Sequence, residues 1–228
     1  MSLVKKYLSI VTRVEIPLPD IYTVYFESTE KQFKYRPGQF LHLTLSEYDP
    51  SLQWPESRCF SMHSSPNEKY IKITYSVNGK YSKRIAEEIK VGKKIWLKLP
   101  YGDIFDRNHS TDNCVFIAGG TGVTPFLSLF NDPVFNTYKN PILYLGFREE
   151  KYNIFNQELN KAKEINKSFT FSLIYQNKDG MINIESIYNS HPDTTFFISG
   201  PPVMIKLFRN FLIQNSMTEN RIITDEWE

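Results

Sequence analysis

The stretch from Val115 to Pro125 constrains the fold of this chain more than any other. It reads Val-Phe-Ile-Ala-Gly-Gly-Thr-Gly-Val-Thr-Pro, so an apolar run gives way to three glycines and then to a proline. A continuous apolar run is typical of a parallel strand that is buried on both faces, and proline favours the first turn of a helix. The stretch therefore predicts a buried strand, a glycine-rich turn and a helix in succession.

The glycine-rich turn is suited to binding an anion such as a phosphate group. We expect Gly119, Gly120 and Gly122 to let the backbone approach the anion, because a Cβ atom would hold it away. The first amides of the next helix would point toward the anion, and Thr121 and Thr124 would add hydroxyl donors. The turn lacks the Gly-Lys-Ser/Thr ending of a P-loop and the glycine spacing of the dinucleotide fingerprint, which excludes both motifs.

The composition is that of an ordinary globular protein. Its 228 residues provide for two domains of roughly 110 residues each. Aromatic residues make up 15% of the chain, which favours sheets and flat ligands. The formal net charge is +2 and no run of five like charges occurs, so the overall charge gives no attraction to nucleic acid or to a membrane surface.

Cysteine content and apolar patterning bear on the compartment. The two cysteines, Cys59 and Cys114, are too few for a cysteine-based zinc site or a four-cysteine iron–sulfur cluster within this sequence, and they fit a reducing cytoplasm. The amino terminus is too poor in apolar residues for a signal peptide, and no stretch approaches the roughly 18 apolar residues of a membrane helix. We expect a cytoplasmic protein.

The first half of the chain shows the short alternating pattern of antiparallel strands. Turn signals such as Arg36-Pro37-Gly38 and Asn78-Gly79 separate the runs, at a spacing that favours a closed barrel over an open sheet. One helix, with Ser82 as its N-cap and an end near Gly92, is predicted between the strands. The predicted strands cover residues 9–16, 22–27, 39–45, 69–77 and 95–99.

The second half alternates apolar strands with helical segments. This rhythm is typical of a doubly wound α/β domain with a parallel sheet. A polar, aperiodic stretch at 106–112 separates the halves, and the predicted domains are residues 1–107, an antiparallel β-barrel, and 108–228, the α/β domain. The predicted strands are 114–118, 142–146, 169–175 and 195–199, and the predicted helices are 126–130, 154–165 and 203–215.

Seven short motifs follow one another along the two halves. They are Arg36-Pro37-Gly38-Gln39-Phe40, Arg58-Cys59-Phe60-Ser61, Gly79-Lys80-Tyr81-Ser82, Pro100-Tyr101-Gly102, the loop from Gly119 to Pro125, Gly146-Phe147-Arg148 and Ser199-Gly200-Pro201-Pro202. Each is weak alone, but their order over almost the whole chain resembles the ferredoxin-NADP reductase superfamily of flavin-dependent reductases. The resemblance implies a flavin held by the barrel, a nicotinamide nucleotide held by the second domain, and the two rings stacked in the cleft between the domains.

The resemblance assigns flavin contacts to the second motif. Arg58 would pair with the flavin pyrophosphate through its guanidinium fork, and Ser61, a catalytic candidate, would bond near the reactive ring nitrogen. Phe60 stands where the family usually has tyrosine, so it can cover the ring but cannot donate a hydroxyl bond to the ribityl chain. We expect this change to weaken flavin binding without abolishing it. Met62 continues the flavin-binding strand.

Two further features of the barrel bear on the flavin. Gly79 and Ser82 would cradle its phosphates with backbone amides and one hydroxyl. Together with Arg58 they make two phosphate-binding elements, which favour FAD over FMN. His63 adjoins the flavin strand, but it has no partner at metal-ligand or triad spacing, so we expect a bystander and no metal site.

In the second domain the resemblance implies a site for NADH or NADPH. The turn at Ser199 carries a cysteine beside the nicotinamide in the family; serine keeps a small volume and a polar edge, so we expect hydride transfer to survive with altered alignment or rate. Arg148 is suited to a 2′-phosphate, but Glu149 and Glu150 follow it and Gln176 departs from the basic residue of NADP-preferring relatives, which leans the choice to NADH. The implied contacts are Gly119, Gly120, Thr121, Gly122, Thr124, Pro125, Arg148, Gly200 and Pro201.

The end of the sequence resembles the closing strand of the family. That strand brings an acidic residue near the flavin, which either Asp225 or Glu226 would supply, and it would place Trp227 against the ring. The sequence ends there without a fused iron–sulfur or haem module, so we expect electrons to leave to another molecule.

The resemblance leaves three functions open. The first is an NAD(P)H-dependent flavin oxidoreductase that passes electrons to a separate carrier, such as ferredoxin or an oxygenase component. The second is a free flavin or ferric-complex reductase, and the third is a non-catalytic nucleotide-binding subunit of a larger complex. Lys80, Lys83 and Arg84 form a basic cluster that is suited to an acidic partner and equally typical of a solvated helix face.

Overall fold

A computed structural model describes residues 3–225 of the chain. The chain divides into two compact units, Met1–Asp103 and Ile104–Glu228. This division lies four residues before the sequence-based boundary at 107/108. The reason is that Ile104 is buried in the core of the second unit, where the neighbouring Phe105 ring lies 5.4 Å from the ring of Phe197.

The first unit is a six-stranded antiparallel barrel. Its strand order is β4-β3-β6-β1-β2-β5, and the N–H of His63, just after β4, donates to the carbonyl of Lys72 on β5 at 2.7 Å and joins the two edges. The predicted antiparallel barrel is confirmed. The strands are β1 (Lys5–Leu18), β2 (Ile21–Ser28), β3 (Phe40–Thr44), β4 (Arg58–Ser61), β5 (Ile71–Ser76) and β6 (Lys94–Tyr101).

Helix α1 of the barrel unit spans Lys80–Glu88. The prediction that Ser82 is its N-cap is wrong, because Gly79 occupies that position in extended backbone and Ser82 lies three residues inside the helix. The Ser82 hydroxyl accepts hydrogen bonds from the N–H groups of Asn78 and Gly79, both at 3.0 Å. Serine therefore stabilises the start of the helix from its first turn rather than from its cap.

The second unit is a five-stranded parallel sheet with helices, which confirms the predicted doubly wound fold. Its strand order is β11-β10-β7-β8-β9. The strands are β7 (Cys114–Gly119), β8 (Ile142–Phe147), β9 (Thr170–Tyr175), β10 (Thr195–Ser199) and β11 (Ile222–Thr224). The helices are α2 (Thr124–Phe130), α3 (Asn156–Ile165), α4 (Gln176–Asp179), α5 (Ile184–Ser190) and α6 (Pro202–Gln214). The short helices α4 and α5 are additions to the predicted elements.

The order of strands places a switch point in the middle of the sheet. From β7 the chain proceeds outward through β8 and β9 on one side, and then through β10 and β11 on the other. The helices that follow β7 and β10 pack in different core clusters, α2 in one and α6 in the other, so the two connections run to different faces of the sheet. Parallel sheets bind ligands at the carboxyl ends of the strands at such a switch point. Between residues 3 and 225, no helix is long and apolar enough to cross a membrane.

Candidate functional site

At the switch point, the loops after β7 and β10 approach each other backbone to backbone. A Cβ atom on Gly122 would lie 2.4 Å from the Cα atom of Gly200, and one on Gly119 would lie 2.9 Å from Cδ of Pro201. Gly200 itself has a φ of +144°, a conformation that favours glycine. The two loops thus form one surface at the carboxyl edge of the sheet.

These contacts give a reason within the protein for two of the glycines. A Cβ on Gly119 or on Gly122 would meet the neighbouring loop, whether or not a phosphate group binds there. Gly120 is different: its φ is +54°, and no described atom lies within 4 Å of the position a Cβ would take. Of the three, Gly120 is the glycine that faces open space.

The residues after these glycines lie deeper than the sequence suggests. A 3₁₀ turn at Gly120–Val123 precedes α2, which begins at Thr124. Thr124 and Pro125 are both buried, and the Thr124 hydroxyl donates to the carbonyl of Thr121 at 3.0 Å. The donor predicted for a phosphate at Thr124 is thus already used within the protein, whereas Thr121 is partly exposed.

A buried pair of polar side chains lies beneath the second loop. The Ser199 hydroxyl donates to the Asp225 carboxyl at 3.1 Å, and the Asp225 N–H donates to the carbonyl of Ile198 at 2.9 Å. Burial raises the pKa of Asp225 to about 7, against the opposing effects of the Ser199 bond and the positive charge of Arg107. The carboxyl therefore holds and releases a proton near neutral pH. Asp225 is thus the acidic residue bonded to Ser199. Glu226 and Trp227 lie outside the described residues.

The carboxyl end of β8 carries charges that bear on nucleotide choice. Glu149 forms an ion pair with Lys151 at 3.0 Å, and Glu150 forms one with Lys178 at 2.6 Å. Arg148 is exposed and makes no ion pair with any residue in the described part of the chain. Lys151 and Lys178 are thus each paired with a glutamate, whereas the exposed Arg148 guanidinium has no ion-pair partner among the described residues.

In the barrel, Arg58 and Phe60 share one face of β4 while Cys59 lies on the other. Cys59 pairs across the strands with His42, whose ring nitrogens lie 3.6 and 3.7 Å from its sulfur, while Phe60 pairs with Leu41 of the barrel core. The Arg58 guanidinium is half exposed, lies 4.6 Å from the Tyr81 ring centre and forms an ion pair with Glu56 at 3.1 Å. The strand register thus presents Arg58 and Phe60 together, on the side of β4 opposite to Cys59.

Phe60, Ser61 and Met62 differ in exposure. Phe60 and Ser61 are partly exposed, and the Phe60 ring lies 5.3 Å from the ring of Tyr75. Met62 is fully buried in the barrel core, and its N–H donates to the carbonyl of Gln39 at 3.0 Å. The Met62 side chain is thus part of the barrel core, and its contact with a flavin stays a prediction.

The start of α1 lies beside Arg58. The Tyr81 hydroxyl lies 3.2 Å from the carbonyl oxygen of Leu43 and 3.1 Å from that of Glu56, and its one proton is shared between these two acceptors. This contact ties the helix to the strand and to the segment before Arg58. The Gly79 N–H is bonded to Ser82, but the first N–H groups within the helix have no intrahelical acceptor. This end of α1 combines backbone donors with a nearby guanidinium, which is suited to phosphate.

Two further titratable side chains, those of His63 and Cys114, form hydrogen bonds inside the protein. His63 is buried, its Nδ1 lies 2.9 Å from the Thr74 hydroxyl, and burial holds its pKa well below the usual range. Cys114 donates to the carbonyl of Ser110 at 3.0 Å, and burial raises the pKa of its thiol to about 12. Both cysteines are free thiols. Within residues 3–225, no group of three or more His, Cys, Asp or Glu side chains could hold a metal ion.

Comparison with known proteins supports this reading of the fold. A family model described as an oxidoreductase NAD-binding domain matches residues 116–210. The anthranilate 1,2-dioxygenase electron transfer component of Acinetobacter baylyi is 24% identical over 97% of this chain and 67% of its own length. The NAD(P)H-flavin reductase of Aliivibrio fischeri is 25% identical over 75% of this chain and 77% of its own. A ferredoxin NADP+ reductase from Neisseria gonorrhoeae, solved with FAD and NADP, superposes with a TM-score of 0.74 at 19% identity, covering 99% of this chain and 98% of that one.

The two-unit fold, the motif order and these matches agree on one group of proteins. Residues 116–210 match the oxidoreductase NAD-binding domain family, and the chain as a whole is similar to an electron transfer component and to an NAD(P)H-flavin reductase, with the fold of a ferredoxin NADP+ reductase. It spans 49% to 67% of the length of four of the curated relatives it matches, three flavohemoproteins and the dioxygenase component.

Proposed function

We propose that this protein is a flavoprotein oxidoreductase that accepts hydride from NAD(P)H onto FAD and passes the electrons to a separate acceptor. The observation that carries the proposal is the joined pair of loops at the switch point, with the buried Ser199–Asp225 pair beneath them. Nucleotides bind at such crevices in parallel sheets. Relatives named as an electron transfer component and as an NAD(P)H-flavin reductase support the same class of reaction.

The barrel residues fit a flavin nucleotide. The Arg58 guanidinium and the amino end of α1 offer donors for phosphate oxygens, and the partly exposed Phe60 ring offers a surface for a flat ring. A bound flavin supplies an acceptor for two electrons that can release them one at a time. The protein's own contribution is to orient the reactants and to exclude side reactions.

The Ser199–Asp225 pair has two tasks in this proposal. The Ser199 hydroxyl donates to Asp225 and keeps acceptor capacity for an N–H donor on the nicotinamide. Asp225 holds a proton near neutral pH, so its charge does not oppose the binding of an anionic nucleotide below that pH. Ser61 in the barrel would act on the flavin side, as a donor near the charge that develops during reduction.

We propose NADH as the preferred donor. A 2′-phosphate needs cationic partners, but Lys151 and Lys178 are each paired with a glutamate, so Arg148 alone remains open at the end of β8. The electron acceptor would be an acidic protein that approaches the exposed Lys80 and Lys83 of α1, since Arg84 is already paired with Glu88 at 2.5 Å.

An anaerobic spectral titration tests the proposal. The purified chain, reconstituted with FAD, is mixed with NADH and, separately, with NADPH while the flavin absorption band is recorded. We expect stoichiometric bleaching, with NADH effective at the lower concentration. A bound flavin that neither nucleotide reduces would contradict the proposal and favour a non-catalytic nucleotide-binding subunit.

A second candidate function is reduction of free flavin, in which the flavin is a passing substrate. It is favoured by Phe60, which has no hydroxyl for the ribityl chain where the family usually has tyrosine. Gel filtration of the reconstituted protein separates the candidates. Retained flavin supports the flavoprotein, whereas loss of flavin together with NAD(P)H oxidation that saturates with added flavin supports the reductase of free flavin.

A further inference from the structure

Tyr75 on β5 has a buried hydroxyl group that the fold does not use. Its side chain is 5% exposed, and its ring is stacked on Tyr22 with centres 5.7 Å apart and packed at an angle on Phe60 at 5.3 Å. Among the described residues, the hydroxyl oxygen has no hydrogen-bond partner. Buried tyrosine hydroxyls usually find one, because an unpaired buried polar group is unfavourable.

The other buried tyrosines of the chain show the usual arrangement. The Tyr35 hydroxyl donates to the carbonyl of Ser65 at 3.0 Å, and that of Tyr81 donates to Leu43. Tyr138 is bonded to His109 at 2.8 Å, and Tyr48 is bonded to Lys6. By contrast, the Tyr75 hydroxyl has no hydrogen-bond partner among the described residues. The Tyr75 ring packs on Phe60, which stands where the family motif usually has tyrosine.

We infer that Tyr75 is a flavin-positioning residue whose hydroxyl donates to the polyol or phosphate chain of a flavin nucleotide held over Phe60. This inference rests on the proposed function. Three observations carry it: the hydroxyl has no partner in the described chain, its ring contacts Phe60, and Phe60 cannot supply the bond itself. Burial raises the pKa of Tyr75, so the group stays protonated and can act as a donor.

The position of Tyr75 in the sheet supports this role. On β5 the inward residues Ile71, Ile73 and Tyr75 belong to the barrel core, and Tyr75 lies nearest the end of the strand. Its cross-strand partner Tyr22 is only partly buried, so this end of the core opens toward the surface. Tyr75 is therefore the inward residue of β5 nearest the strand end, and it lies beside two partly exposed rings, those of Tyr22 and Phe60.

The test compares Tyr75→Phe with the matched variant Tyr22→Phe, each of which loses a single hydroxyl. FAD affinity is measured by quenching of flavin fluorescence, and the stability of the flavin-free protein by urea unfolding. We expect Tyr75→Phe to weaken FAD binding about fivefold, the effect of one hydrogen bond, without loss of flavin-free stability. Tyr22→Phe should change FAD affinity by less than about twofold.

A double-mutant cycle separates a flavin bond from a change in packing. Phe60→Tyr restores the hydroxyl of the family motif, and in that background we expect the effect of Tyr75→Phe on FAD affinity to shrink. Unchanged FAD affinity in Tyr75→Phe, or an equal loss in both backgrounds, would overturn the inference. A loss of flavin-free stability would also overturn it, since the hydroxyl would then have a partner in the protein. If the wild-type chain binds no flavin at all, the proposed function fails first, and the inference with it.

Discussion

At the scale of single residues, Asp225 makes stability depend on pH. Its pKa of about 7 in the folded chain, raised by burial, exceeds that of an unfolded aspartate. Between about pH 4 and pH 7 the folded state therefore holds a proton that the unfolded state releases, so the free energy of unfolding falls as pH rises through this window. Below and above the window the contribution is constant.

Asp225→Asn should remove this dependence. The amide oxygen still accepts the Ser199 bond, so we expect the variant to gain on the order of 4 kcal/mol relative to wild type as pH rises from about 4 to above 7. Urea unfolding at several pH values measures the difference, and Asp193→Asn, at an exposed carboxyl, is the control. Parallel curves for wild type and Asp225→Asn would show that Asp225 titrates normally.

Ser199→Ala tests the other half of the pair. The Ser199 bond lowers the pKa of Asp225, so removing it should raise that pKa further, by about one pH unit. The pH dependence of flavin reduction should shift upward with it, whereas Ser199→Cys, a weak donor of similar size, should shift it less. An unchanged midpoint in Ser199→Ala would mean that the pair does not control this step.

At the scale of elements, the joined loops depend on Gly122. Gly122→Ala places a Cβ 2.4 Å from the Gly200 backbone, so we expect a loss of on the order of 3 kcal/mol in the free energy of unfolding and weaker NADH binding. Gly79→Ala is the matched control, since no described atom lies within 4 Å of its added Cβ; it should cost less than about 1 kcal/mol. Calorimetry of both variants decides, and equal effects would contradict the close approach of the loops.

The segment after β8 carries the prediction on nucleotide choice. The double variant Glu149→Gln/Glu150→Gln frees Lys151 and Lys178, and we expect the ratio of kcat/KM for NADPH to that for NADH to rise about threefold, because exposed ion pairs are weak. Glu164→Gln/Glu219→Gln removes two carboxylates elsewhere in the same unit and should leave the ratio unchanged. A ratio that does not move in the first variant would assign nucleotide choice to other residues.

Elements defined by local pattern are predictable from this sequence, and those defined by distant contacts are not. The parallel strands follow from continuous apolar runs, and β7 and β10 begin at the predicted residues Cys114 and Thr195. Helix α5 has a signal in Asn183, whose side chain accepts from the Ser186 N–H, but α4 is a single turn without a side-chain cap. The Ser199–Asp225 bond joins residues 26 apart, and no local pattern predicts it.

In the molecule as a whole, we propose that each unit carries one half of the reaction, with flavin bound by the barrel and the nicotinamide nucleotide by the second unit. The motifs that predict the barrel's flavin contacts lie on β4 and α1, and those that predict the nucleotide contacts lie at the carboxyl edge of the second sheet. The sequence resemblance predicts this division. The contacts that require glycine at positions 119 and 122, and the cap of α1 at Gly79, could not be predicted from the sequence. Each depends on which residues the folded chain brings into contact.

Direct hydride transfer from NADH to bound flavin is tested by the rate of flavin reduction, measured by stopped flow under anaerobic conditions. The chain reconstituted with FAD is mixed with NADH or with NADH that carries deuterium at the transferred position. We predict that the flavin band bleaches far faster than for free FAD mixed with NADH, and more slowly with deuterium, because the hydride moves directly from nicotinamide to flavin. Bleaching no faster than that of free FAD would contradict hydride transfer to a flavin bound by this protein.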